Sequence, residues 1–85
     1  MTTLRPEVQR FAEMMETKLR ENDHKTHWSE CVLDWLLGRL NQEVEELRLE
    51  TTFFKRDAKA ISREAADVAN FAMMIADNYG GLDDE

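Results

Sequence analysis

Apolar residues recur along this chain with a helical period in three stretches. In the first, Leu4, Val8, Phe11, Ala12, Met15 and Leu19 follow the spacing of one helix face. This predicts a helix from about residue 4 to 21. Pro6 fits only the first turn of such a helix, and Asn22 is a candidate for its end. In the second stretch Leu33, Leu36, Leu37, Leu40, Val44 and Leu47 form the stripe of a helix over about 30–50. Thr26 or Ser29 is expected to cap it. Gly38 inside the stripe suggests a close helix contact. In the third, Ile61, Ala65, Val68, Ala72 and Ile75 share a face. Asp57 is the expected N-cap there, and Gly80-Gly81 ends the helix just past Tyr79.

Between the second and third stretches, 51–56 carries two β-branched threonines and two phenylalanines. It is expected to be a short break. No segment alternates apolar and polar residues with β-branched enrichment, so no strand is expected. The fold class is therefore all-α: one domain over 1–85, with residues 1–3 and 80–85 frayed and three long helices antiparallel in chain order. The third helix is apolar nearly all round, which points to burial against more than one neighbour.

Length changes this picture. A chain of 85 residues buries only about 60–65% of its unfolded surface, so its own core is marginal. Small domains make up the deficit with disulfides, metals or association. A single cysteine, Cys31, excludes an intrachain disulfide and suits a buried thiol in a cytoplasmic protein. Metal and association remain, and a bundle completed by oligomerisation is expected. A net charge of −7 argues against nucleic acid as a partner. The absence of a long apolar run argues against a membrane span.

The acidic residues hold the candidate chemistry. Glu43 and Glu46 are three apart on the second helix, and so are Glu64 and Asp67 on the third. Each pair occupies one helix face. Packed side by side, four carboxylates repel strongly unless protons or cations neutralise them. An all-oxygen set suits Mg²⁺, with Mn²⁺ as the alternative, and Mg²⁺ so held completes its shell with water and phosphate oxygens. An acid-rich solvated face is the plainer explanation of Glu43 and Glu46. Ion pairing to Lys59, to Arg63 or to an arginine of another chain is the plainer explanation of Glu64 and Asp67.

Gln42-Glu43-Val44-Glu45-Glu46 followed by Glu64-Ala65-Ala66-Asp67 resembles the E-E-x-x-E … E-x-x-D signature of the MazG-like all-α NTP pyrophosphohydrolases. Lys25 and Trp28 resemble the K-x-x-W element of many members, and the likeness spans roughly residues 15–79. It implies hydrolysis of a nucleoside triphosphate to the monophosphate and pyrophosphate by a dimer or dimer of dimers. It also implies Mg²⁺ on Glu43, Glu46, Glu64 and Asp67, with Glu43 or Glu46 as general base. Trp28 would stack on the base, Asn70 would hydrogen-bond it, and Lys25 would meet a phosphate. Gln42 stands where the signature usually begins with Glu. Lys55, Arg56, Lys59 and Arg63 are expected in place of cations that a further C-terminal helix carries in many members. A non-catalytic interaction protein or nucleotide sensor of the same fold is the competing class.

Of the remaining residues, His24 and His27 are expected in a solvated loop. Trp35 is expected in the core or a subunit interface, and Met73 and Met74 in packing.

Overall fold

The computed structural model describes residues 3–54 and 57–83. Lys55 and Arg56, and the ends of both predicted frayed tails, lie outside them. Among the described residues the chain is all-helical, with α1 at Pro6–Arg20, α2 at Leu33–Leu49 and α3 at Ala58–Asn78. Among the described residues no helix is long and apolar enough to cross a membrane.

The local signals set the helix ends. Pro6 occupies the first turn of α1. The Asn22 amide donates to the Lys18 carbonyl and covers the C-terminus of that helix. Asp57 caps α3 by accepting from the Ala60 N–H at 2.9 Å. At the far end Gly80 adopts φ +81°, the left-handed conformation that glycine takes without strain. The Gly81 N–H then reaches the Ala76 carbonyl and the Gly80 N–H that of Asp77, a Schellman closure. Residues 80–83 thus form a hydrogen-bonded turn.

Four expectations fail. Neither Thr26 nor Ser29 caps α2. Instead His27 caps a short 3₁₀ turn at Trp28–Glu30, and α2 begins later, at Leu33. The break expected over 51–56 is a π-helical turn, Glu50–Phe54, that prolongs α2. The Thr51 hydroxyl makes this possible by donating back to the Leu47 and Arg48 carbonyls. The helices do not alternate in direction either. Glu21 lies by Arg63 and Met15 by Asn70, so α1 runs antiparallel to α3. Trp35 lies by Phe71 and Glu43 by Asp67, so α2 does too. Helices α1 and α2 are therefore parallel, and the connection between them travels about 20 Å back along α3. The fourth failure is Gly38: a Cβ added there would meet nothing within 4 Å among the described residues, so this chain makes no close helix contact at that position.

Helix α3 is the centre, packed against both α1 and α2, which do not pack on each other. A groove is left open between them. The predicted stripes are only half in the core. Leu36 and Ala66 are the fully buried apolar side chains among the described residues, and Leu33, Leu37 and Val44 of the α2 stripe are exposed. Glu43, Glu50 and Asn70 are buried beside them. A small core that spends three buried positions on polar groups needs a reason for them.

Candidate metal centre

Helix α2 turns Glu43 inward, where it is 6% exposed. Glu50, seven residues on and starting the π turn, shares that face and is equally buried. Helix α3 brings Glu64 and Asp67 alongside. Glu43, Glu64 and Asp67 each offer a carboxylate oxygen, and the three lie within 4.8 Å of one another. Glu46, the fourth expected ligand, is exposed at the margin of this group. Its charge nevertheless reaches both Glu43 and Glu64.

All three clustered acids are pushed toward the protonated form. Burial is the first cause for each. Glu43 rises to about 7, with the Glu46 carboxylate and the Asp67 charge adding to burial and Arg39 opposing it. Glu64 is raised further by the charges of Glu46, Asp67 and Glu50. For Asp67 burial outweighs the lowering effect of Lys18. Glu43 Oε2 and Glu64 Oε2 are buried without a hydrogen-bond partner. Clustered oxygens, partly orphaned and short of positive charge, fit a hard divalent cation.

Two cations flank the group. Arg39 Nη2 donates to Glu43 Oε1 at 3.0 Å, and the same guanidinium also donates to Gln42 and lies 5.2 Å from the centre of the Phe71 ring. On the opposite side Lys18 Nζ lies 3.6 Å from Asp67 and 3.2 Å from Glu21. Arg63 holds Glu21 through both carboxylate oxygens. Lys59, another expected phosphate cation, is exposed near the start of α3.

The groove between α1 and α2 forms a pocket of about 550 Å³ with Glu43 and Asp67 in its wall. Lys25, Trp28 and Asn70, the three expected substrate contacts, line the same pocket. Trp28 is tethered there. Its indole N–H donates to Asp77 at 2.9 Å, its carbonyl accepts from Asn78, and the His27 ring stacks on it at 4.1 Å. His27 is exposed, as expected of a loop residue, yet it braces the tryptophan. Asn70 is 4% exposed. Its Nδ2 donates to the Met15 carbonyl at 3.1 Å, while Oδ1 is buried with no partner.

Comparison with family models, with curated proteins and with solved structures gives no match. The spacing in the sequence already places Glu50 on the helix face of Glu43 and Glu46. Two further residues of this site did not stand out. Lys18 and Arg39 carry no such signal, since their partners come from packing. Trp35 is no core residue: it is 53% exposed, lies against Phe71 edge-on and borders the pocket.

Proposed function

We propose that the chain is a Mg²⁺-dependent pyrophosphohydrolase of the MazG-like type. It would cleave a nucleoside or deoxynucleoside triphosphate to the monophosphate and pyrophosphate. The observation that supports this most is the junction of two unlike surfaces. A carboxylate cluster with orphaned oxygens meets a pocket walled by Trp28, Trp35 and Phe71 and lined by Lys18, Lys25 and Arg39. A nucleotide has an aromatic base at one end and anionic phosphates at the other, and divalent cations bind the phosphates.

Glu43, Glu64 and Asp67 would hold the cation, with Glu46 at its margin. Bound there, Mg²⁺ would supply charge neutralisation at the phosphate oxygens and a more acidic water. Glu46 is solvent-exposed beside Glu43, so it can take a proton from the attacking water and pass it to bulk. The water oxygen would bond to the α-phosphorus as its bond to the oxygen bridging to the β phosphate breaks, and pyrophosphate would leave with the electron pair. Trp28, fixed by Asp77, offers a ring face for the base. Asn70 Oδ1 offers an acceptor, because its amide nitrogen is already committed to Met15. Lys25 faces the phosphates.

The test is pyrophosphate release across the common NTPs and dNTPs with Mg²⁺ or Mn²⁺. Turnover is expected with at least one, and Glu64→Gln and Asp67→Asn should each abolish it with helicity unchanged. No turnover and no metal-dependent thermal shift would refute the reading. Gln42 favours a second reading, binding without hydrolysis, because its amide oxygen is occupied by Arg39. Metal and nucleotide binding without turnover would establish that reading.

The same proposal includes self-association, as a dimer or dimer of dimers. A folded monomer of 10.0 kDa exposes about 5,200 Å². This chain exposes 6569 Å². The surplus of about 1,300 Å² exceeds the ~800 Å² that each partner of a standard interface contributes. Leu33, Leu37 and Val44 supply an exposed apolar seam, and Gly38 leaves open space within it. Light scattering should find an oligomer that Leu37→Glu dissociates. A wild-type monomer at micromolar concentration would overturn this part.

A further inference from the structure

Lys18 sits in the last turn of α1, where lysines ordinarily extend to solvent. Arg20, two residues on, does so. The Lys18 side chain is only 14% exposed and is turned under the helix toward α3. The reason lies in the register of α1 on α3, which places Met15 against Asn70 and Glu21 against Arg63. Position 18, between them on the same face, falls opposite Asp67.

Its two contacts differ. Glu21 is 3.2 Å away and has Arg63 as a second partner, whose Nη2 is shared between both carboxylate oxygens, so it keeps a counter-charge if Lys18 moves. Asp67 is 3.6 Å away, an ion pair beyond ordinary hydrogen-bond length. The ammonium is thus held loosely against one member of the carboxylate cluster, at the wall of the pocket. A compact charge on a flexible stem can change partners by a rotamer shift, which the planar fork of an arginine does less readily.

We propose that Lys18 is an exchangeable cation of this site: it neutralises Asp67 in the metal-free protein and transfers to a phosphate oxygen of the ligand once a divalent cation occupies the cluster. The proposal rests on the cluster being a metal centre, and the second independent mark of that centre is the buried, unpartnered Glu43 Oε2. Without phosphate, the ammonium repels the incoming cation. At a separation of ~6 Å in water-like surroundings, that repulsion weakens divalent binding about tenfold. A bound phosphate group draws the ammonium away and removes the penalty. Metal and polyphosphate therefore bind cooperatively, and Lys18 is the residue that couples them.

Two titrations test this on the full chain: Mn²⁺ alone, followed by electron paramagnetic resonance, and inorganic pyrophosphate added to the manganese-saturated protein, followed by calorimetry. Lys18→Met should bind Mn²⁺ about three- to tenfold more tightly than wild type and pyrophosphate at least about fivefold more weakly. Lys18→Arg, which keeps the charge, should stay near wild type for Mn²⁺. Circular dichroism checks the fold, and Lys18→Gln replaces the methionine variant if that one does not fold. Weaker or unchanged Mn²⁺ binding in the neutral variant overturns the role of Lys18. If wild type still binds Mn²⁺ through Glu64 and Asp67, the metal centre survives that result. A wild type that binds no Mn²⁺ overturns both.

Discussion

Removing the charge of Glu43 should strengthen the metal-free protein while destroying the proposed metal site. The folded protein keeps Glu43 protonated up to about pH 7, against an ordinary carboxylate value near 4.5. Between those values the fold holds a proton that the unfolded chain has released. Stability from this group is therefore complete below about pH 4.5 and is lost as pH rises to 7. A shift of this size corresponds to about 3 kcal/mol in a fully buried site. Solvent at the pocket side reduces that to roughly 1–2 kcal/mol. Glu64 and Asp67 are raised as well and act with the same sign. Glu21 and Glu45 are lowered, so their contributions are lost only as pH falls below 4.5, outside this window. Urea unfolding in EDTA at pH 5, 6, 7 and 8, at one protein concentration, should show declining stability. Glu43→Gln keeps a carbonyl oxygen for Arg39 and should be more stable than wild type at pH 8 by about 1–2 kcal/mol, with a shallower slope. Saturating Mg²⁺ should reverse the order, since it stabilises only the protein that binds it. Stability that is flat or rising from pH 5 to 8 in EDTA, or a variant slope equal to that of wild type, would refute the reasoning.

Three other substitutions probe the frame around the site. Trp28→Phe removes the indole N–H from Asp77 and should cost about 1–2 kcal/mol in chemical denaturation, with nucleotide binding weakened further by the freed wall. Asn70→Ala leaves the Met15 carbonyl without its donor and should cost about 1–3 kcal/mol; unchanged stability would mean that α1 is held by other contacts. Gly80→Ala forces a side chain into left-handed backbone at φ +81° and should lower stability by about 1 kcal/mol without altering Mn²⁺ affinity.

What was legible in the sequence was local. Asp57 and Gly80 could be placed because a cap and a left-handed helix end depend on a few neighbouring residues. Glu64 and Asp67 could be paired because three-residue spacing aligns carboxylates on a helix, and Glu43 joined them through the expected packing of the second helix on the third. The direction of α1 relative to α2 could not be read. It depends on Trp28 reaching Asp77 and Asn78, contacts that span 49 and 50 residues and follow no period. Lys18 was hidden for the same reason, as its role exists only where α1 crosses α3. The π turn ran against the poor helix propensity of Thr51 and Thr52, which the Thr51 back-bonds offset. The stripe of α2 was read as core because periodicity identifies an apolar face without saying which chain covers it.

The anchoring of Trp28 has a practical side. The chain contains two tryptophans, and both border the groove between α1 and α2. One is tethered and partly shielded; the other is half in water. Tyr79, the single tyrosine, lies on the surface. Ultraviolet emission excited at the red edge of the protein band therefore comes from the groove alone. A molecule entering it should quench or blue-shift nearly the whole signal, so the protein carries its own optical reporter and binding can be followed without a label.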